Sequence, residues 1–251
     1  MLSIKHDFGN LSDKLNDLEK RQIPFAMSLA INRTAQKIKQ AEEREMKDVF
    51  DRPTPYTLSS VFIKPSTKSS LTAVVGLKDQ ATKAIPASKF LQAQITGGPR
   101  RLKRYEVSLR AAGVLPPDYF TVPGKAAVLD AYTNMATSQI IQILSYFRAF
   151  PEAGYRANST EKTRARLARG TRKKMGVSYF VGSPGGGKLP LGIWMRVHSG
   201  FGQALRPILI FVPHAQYQPI FDFKYVAENV IKKEFSNELS RAFSEAVGTA
   251  K

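Results

Sequence analysis

The chain has 251 residues, of which 43% are hydrophobic and 10% aromatic, enough to fill a sizeable core and to exclude disorder throughout. It has no cysteine, which removes disulfides, thiol catalysis and thiolate metal sites together. Thirty-eight Lys and Arg against twenty Asp and Glu give a net charge of +18, which points to a polyanionic neighbour (DNA, RNA or an acidic protein surface) or to a plain basic surface. The first residues turn polar at once, so no signal peptide is expected, and no run of eighteen apolar residues suggests a membrane span.

In chain order, Asn10 to Gln22 reads as a short amphipathic helix with Leu11, Leu15 and Leu18 on one face. Pro24 opens a longer helix, as proline does at a first helical position, and Asp51-Arg-Pro-Thr-Pro55 ends it. A hairpin follows, Leu58–Ile63 and Leu71–Gly76, around the polar turn from Lys64 to Ser70. Short helices are expected over Ile85–Ile95 and Arg101–Ala112. Leu115–Gly124 reads as irregular, packing through Tyr119 and Phe120, and Thr137–Phe147 as a helix capped by Thr137.

The last seventy or so residues look like the organising part. Val177–Val181, Gly192–Val197 and Pro207–Pro213 are β-branched or aromatic runs bounded by Gly or Pro, hence strands, with Pro207 and Pro213 at the ends of the third. A helix then carries Phe223, Val226, Val230, Phe235, Leu239, Phe243 and Val247 as one stripe, with Asp222 as N-cap and Gly248 as stop. The expected fold class is α+β: a mixed or antiparallel sheet that the hairpin strands join, covered by the N-terminal and C-terminal helices, with Trp194 buried. The expected division is residues 1–84 (helices and hairpin), 85–155 (a helical insertion), 156–176 (a basic arm) and 177–251, which completes the domain begun by 1–84.

The candidate chemistry is sparse. Gly182-Ser-Pro-Gly-Gly-Gly-Lys188 has the spacing of a phosphate-binding loop, but Leu189 stands where a hydroxyl should hold Mg²⁺, and Pro190 begins a return to strand rather than a helix. We read it as a hairpin tip. His6, His198 and His214 are scattered, Asp118 and Asp130 suit turn capping, and hydrolase motifs are missing, so no catalytic residue, cofactor or metal is expected. The basic arm is the one contact candidate. Arg156, Lys162, Arg164, Arg166, Arg169, Arg172, Lys173 and Lys174 accompany a single acid, Glu161. Such density suits DNA without sequence preference, an acidic protein partner or a solvated face, and the arm is expected to be a surface loop, poorly ordered alone. Aromatic interleaving is missing from it, which argues against single-strand stacking.

The segment Ile23-Pro-Phe-Ala-Met-Ser-Leu-Ala-Ile-Asn-Arg-Thr-Ala35 resembles the start of phage minor tail protein Z family members, in which a Pro-initiated helix carries an A-I-N-R-x-A core, here Ala30 to Ala35. The order of elements is similar to the wider group of tail-completion proteins, with Ile85–Leu91 and Gly192–Val197 placed where those carry similar pieces. Residues from about 97 to 176 match nothing in that group. The resemblance implies a non-enzymatic structural subunit of a bacteriophage particle, at the tail or head–tail junction, made in the host cytoplasm. Its partners would be copies of itself in a ring, neighbouring tail or neck proteins, and double-stranded DNA, with no membrane. The competing class is a free nucleic-acid-binding or packaging accessory protein that uses the basic arm.

Overall fold

A computed structural model describes residues 21–82, 84–151, 157–172, 174–199 and 202–249. The helix expected before Gln22 and His6 lie outside the described residues. The elements in order are α1 (Ile23–Val49), α2 (Pro55–Leu58), β1 (Val61–Lys64), β2 (Val74–Leu77), α3 (Ala87–Phe90), α4 (Gln92–Thr96), β3 (Gly98–Pro99), α5 (Arg104–Ala111), β4 (Phe120–Pro123), α6 (Thr137–Tyr146), α7 (Glu161–Arg169), β5 (Gly176–Gly182), β6 (Gly192–Ser199), β7 (Gly202–Val212), β8 (Gln216–Tyr217) and α8 (Phe223–Thr249). The fold is α+β, and all its strand pairs are antiparallel.

The chain forms two compact units, residues 1–96 with 219–251 and residues 97–218. This differs from the expected division, because the strands after Val177 belong with the middle of the chain. The hairpin strands do not join their sheet either; β1 and β2 make a two-stranded ladder in register Val61↔Leu77.

In the first unit, α1 and α8 pack along one another. Arg33 pairs with Glu245, and Lys37 with Glu234 and Glu238, so numbers rise on one helix as they fall on the other: the pair is antiparallel. Ala26 and Ala30 of α1 meet Ala242 and Ala246 of α8, all essentially without exposure, because small side chains let two helices approach closely. Of the expected stripe, Phe235 and Leu239 pack half-buried against this cluster, but towards its C-terminal end α8 presents a different face to α1. Glu238, Ala242 and Ala246 are buried, whereas Phe243 and Val247 are 41% and 49% exposed. The Asp222 side chain does cap α8, accepting the Tyr225 N–H at 3.0 Å, but the helix runs through Gly248 to Thr249. A second cluster gathers Met46, Val61, Ala87, Leu91 and Phe221.

The A-I-N-R-T-A segment is used entirely as architecture. Ala30 and Ala35 are buried, and Thr34 donates to the Ala30 carbonyl. Asn32 clamps the β1–β2 loop, accepting the Ser66 N–H at 2.8 Å and donating to the Ser66 carbonyl at 3.1 Å. Arg33 reaches Glu245 through two nitrogens, each 2.9 Å from a carboxylate oxygen.

The second unit holds the sheet β4-β7-β6-β5. The supposedly irregular segment contains β4, which pairs with β7 from Phe120↔Val212 to Pro123↔Leu209, a partner distant in sequence. Pro207 lies within β7 rather than at its start. Its missing N–H is tolerated at the register shift opposite Ile193 and Trp194. Trp194 is 3% exposed, and its indole donates to the Pro190 carbonyl.

The sheet's cover comes from its own unit. Leu109 on α5 and Ile143 and Leu144 on α6 pack with Tyr179, Ile193, Ile208, Leu209 and Phe211. The helices α1 and α8, expected to cover this sheet, cover each other. Ala136 occupies the N-cap of α6 in place of Thr137, and no side chain caps it.

Candidate functional site

The basic segment is not a loop. Thr160 caps α7 by accepting the Thr163 N–H at 3.2 Å, and Glu161 in the first turn with Arg166 and Arg169 in the last complement the helix dipole. Gly170, at φ +74°, ends the helix, and Thr171 and Lys174 close a tight turn by exchanging backbone bonds of 2.8 and 3.2 Å. β5 begins immediately after. A Cβ on Gly176 would run into the Ala168 carbonyl oxygen, so only glycine lets the helix lie this close to the strand. Before α7, both the N–H and the hydroxyl of Ser159 donate to the Ser145 carbonyl, at 3.0 and 2.9 Å. The expectation of poor order misses these anchors, because what holds the segment is backbone bonding and Leu167 against the core rather than apolar content of its own.

Arg156 and Lys173 lie outside the described residues. Lys162, Arg166, Arg169, Arg172 and Lys174 are exposed, and Arg164 is half-buried, its guanidinium 5.8 Å from the centre of the Tyr146 ring. Three of the expected contact residues, Arg164, Arg166 and Lys174, come together at a cleft of about 710 Å³ between α6, α7 and the turn before β5. Lys162, Arg169 and Arg172 stay outside it. Sequence reasoning misses the other wall of this cleft. Gln142, Ser145 and Tyr146 come from α6, Met175 from just before β5, and Val177 from β5. The one local signal was Met175 itself, an apolar residue directly after a run of cations, which is 62% exposed.

The remaining candidates separate clearly from this site. Gly182–Lys188 joins β5 to β6 as a turn, with Gly185, Gly186 and Gly187 all at positive φ, and a strand follows where a phosphate loop needs a helix. Asp130 caps a turn, accepting the N–H groups of Tyr132 and Asn134 at 2.9 Å each. The His198 ring lies 3.4 Å from the Ser178 hydroxyl, and among the described residues no group of His, Asp and Glu is arranged to hold a metal ion. No described helix is long and apolar enough to cross a membrane. Compared with known proteins, the chain matches no family model, and no curated protein or solved structure matches it either.

The arrangement sets Arg164, Arg166 and Lys174 beside the apolar side chains of Tyr146, Leu167, Met175 and Val177. Among the described lining residues there is no carboxylate and no histidine.

Proposed function

We propose that the chain is a structural subunit of a bacteriophage particle, at the tail or head–tail junction, where identical copies ring the DNA channel. The observation that carries this reading is the built basic face. Lys162, Arg166, Arg169, Arg172 and Lys174 are all exposed on one capped helix and turn held against β5, and Glu161 is the segment's only acid. A rigid display of like charge is costly by itself and becomes favourable beside a polyanion or an acidic subunit. The architectural use of Ala30 to Ala35 supports the same reading, since it explains why a structural protein would carry that segment. Phe243 and Val247, exposed along α8, add apolar surface of the kind that assembly covers.

The test is mass spectrometry of particles purified from cells that make this chain, together with sedimentation of the expressed chain. The reading expects a stoichiometric particle component that forms closed oligomers. Absence from particles would end it.

A second reading, a free nucleic-acid-binding or packaging accessory protein, draws on Lys162, Arg169 and Arg172, which stand outside the cleft where phosphates could reach them. It expects duplex binding indifferent to sequence, with a log–log salt slope of ~0.9 per phosphate contact. Changing those three residues to Gln should flatten the slope without unfolding the chain.

A further inference from the structure

We propose that the cleft between α6, α7 and the turn before β5 binds an acidic peptide segment of a neighbouring protein that inserts one apolar anchor side chain. This names the partner of the site above and rests on reading the chain as an assembly subunit.

The apolar part of the lining decides the anchor. Tyr146, Leu167, Met175 and Val177 line a cleft of about 710 Å³, within the range that encloses a small ligand or several side chains. Met175 lies at its edge largely exposed, and an unbranched thioether can repack around an incoming group. The cationic part decides the charge. Arg164, Arg166 and Lys174 line the cleft, and no carboxylate does among the described residues. Arg166 and Lys174 have no ion-pair partner among the described residues. Arg164 is held over Tyr146, with only the outlying Glu161 at 3.9 Å, so a charged fork is already oriented before a partner arrives.

Nucleic acid fits this cleft less well. A duplex backbone has no apolar group to place against the apolar lining. A splayed base would need a free ring face, but Arg164 lies over Tyr146, and Phe147 and Tyr179 meet the same ring at steep interplanar angles, 5.4 and 5.2 Å between centres.

The experiment is fluorescence anisotropy of the full chain with a short labelled peptide of aspartates and glutamates around one phenylalanine. The comparators are the same peptide with alanine in place of phenylalanine, and a short DNA duplex. Saturable peptide binding is expected, weakened about tenfold by the alanine replacement and by a similar factor in Met175→Asp, since burying an aromatic anchor contributes at least that much. Met175→Leu should retain binding, and Lys188→Ala, at the hairpin tip, should not alter it. Equal affinity for the phenylalanine and alanine peptides would overturn the proposal, leaving charge alone. So would affinities unchanged in Met175→Asp, or displacement of the peptide by duplex DNA with undiminished DNA binding in that variant. A peptide that does not bind a chain found in particles sinks the cleft and leaves the structural reading standing; binding by a chain absent from particles does the reverse.

Discussion

Each unit of the molecule buries a glutamate completely, and the two are treated in opposite ways. Glu106, in the second unit, is 0% exposed and fully satisfied. Arg100 reaches its carboxylate through two nitrogens at 2.8 and 2.6 Å, while the Lys103 N–H, Thr121 N–H and Thr121 hydroxyl each donate at 2.7 Å. Burial pushes its pKa up, but the guanidinium and these donors outweigh burial and leave it below the usual carboxylate value. Glu42, in the first unit, is also 0% exposed, and neither of its carboxyl oxygens has a hydrogen-bond partner among the described residues. Burial first, then the charges of Glu45 and Asp222, pushes it up to about 8. Burial alone therefore does not decide whether a carboxyl group is charged. The donors around it do, and they arrive here from a loop and a strand, Arg100 and Thr121, that have no counterpart at Glu42.

The largest effect should come from breaking the satisfied site. Glu106→Ala leaves Arg100 buried with a lone charge and opens three N–H or O–H donors, so it should cost ~3–5 kcal/mol in urea unfolding. A cost below ~1 kcal/mol would mean that Arg100 and Thr121 find other partners.

Glu42→Gln should act in the other direction, by an amount that grows as pH rises above about 5. Because the folded pKa is raised, folded Glu42 keeps a proton that the unfolded chain releases. Its contribution is intact below the unfolded value near 4.5 and is lost as pH rises through about 8. The amide stays neutral, so Gln should match the wild type near pH 5 and exceed it by ~4 kcal/mol at pH 9, with most of the gap already open by pH 8. Parallel pH curves for the two proteins would refute the assignment.

Hydrogen exchange can separate the units in a single experiment. Glu106 has a depressed pKa, so its contribution is present above the unfolded value and is lost as pH falls through the folded one. Acid should therefore weaken protection around α5 and β4 first, and pH rising from about 5 to 8 should weaken it around α1. A uniform response would show that the two glutamates do not set local stability.

Lys188→Ala should have the smallest effect, within ~0.5 kcal/mol of wild type, since Lys188 is exposed and its side chain makes no hydrogen bond or ion pair among the described residues. Saturable ATP binding that this substitution abolished would reinstate the phosphate loop.

The sequence by itself determined the elements whose causes are local. Pro24 starts α1, the Pro-rich stretch after Val49 stops it, Asp222 caps α8, and alternation around Trp194 marks β6; each of these signals acts over a few residues. The basic charge of residues 156–174 was equally legible, because composition needs no partner. Tertiary structure decided whatever depends on which distant segment comes alongside. β4 is a strand only because β7 hydrogen-bonds to it, and β1 and β2 stay apart because they pair with each other. Ala242 and Ala246, rather than Phe243 and Val247, face α1 because two helices approach most closely where side chains are smallest. The cleft beside α7 belongs to the same class. Its cations, Leu167 and Met175 lie in one stretch of sequence, but Tyr146 from α6 and Val177 from β5 are brought beside them by packing whose energetics no single segment contains.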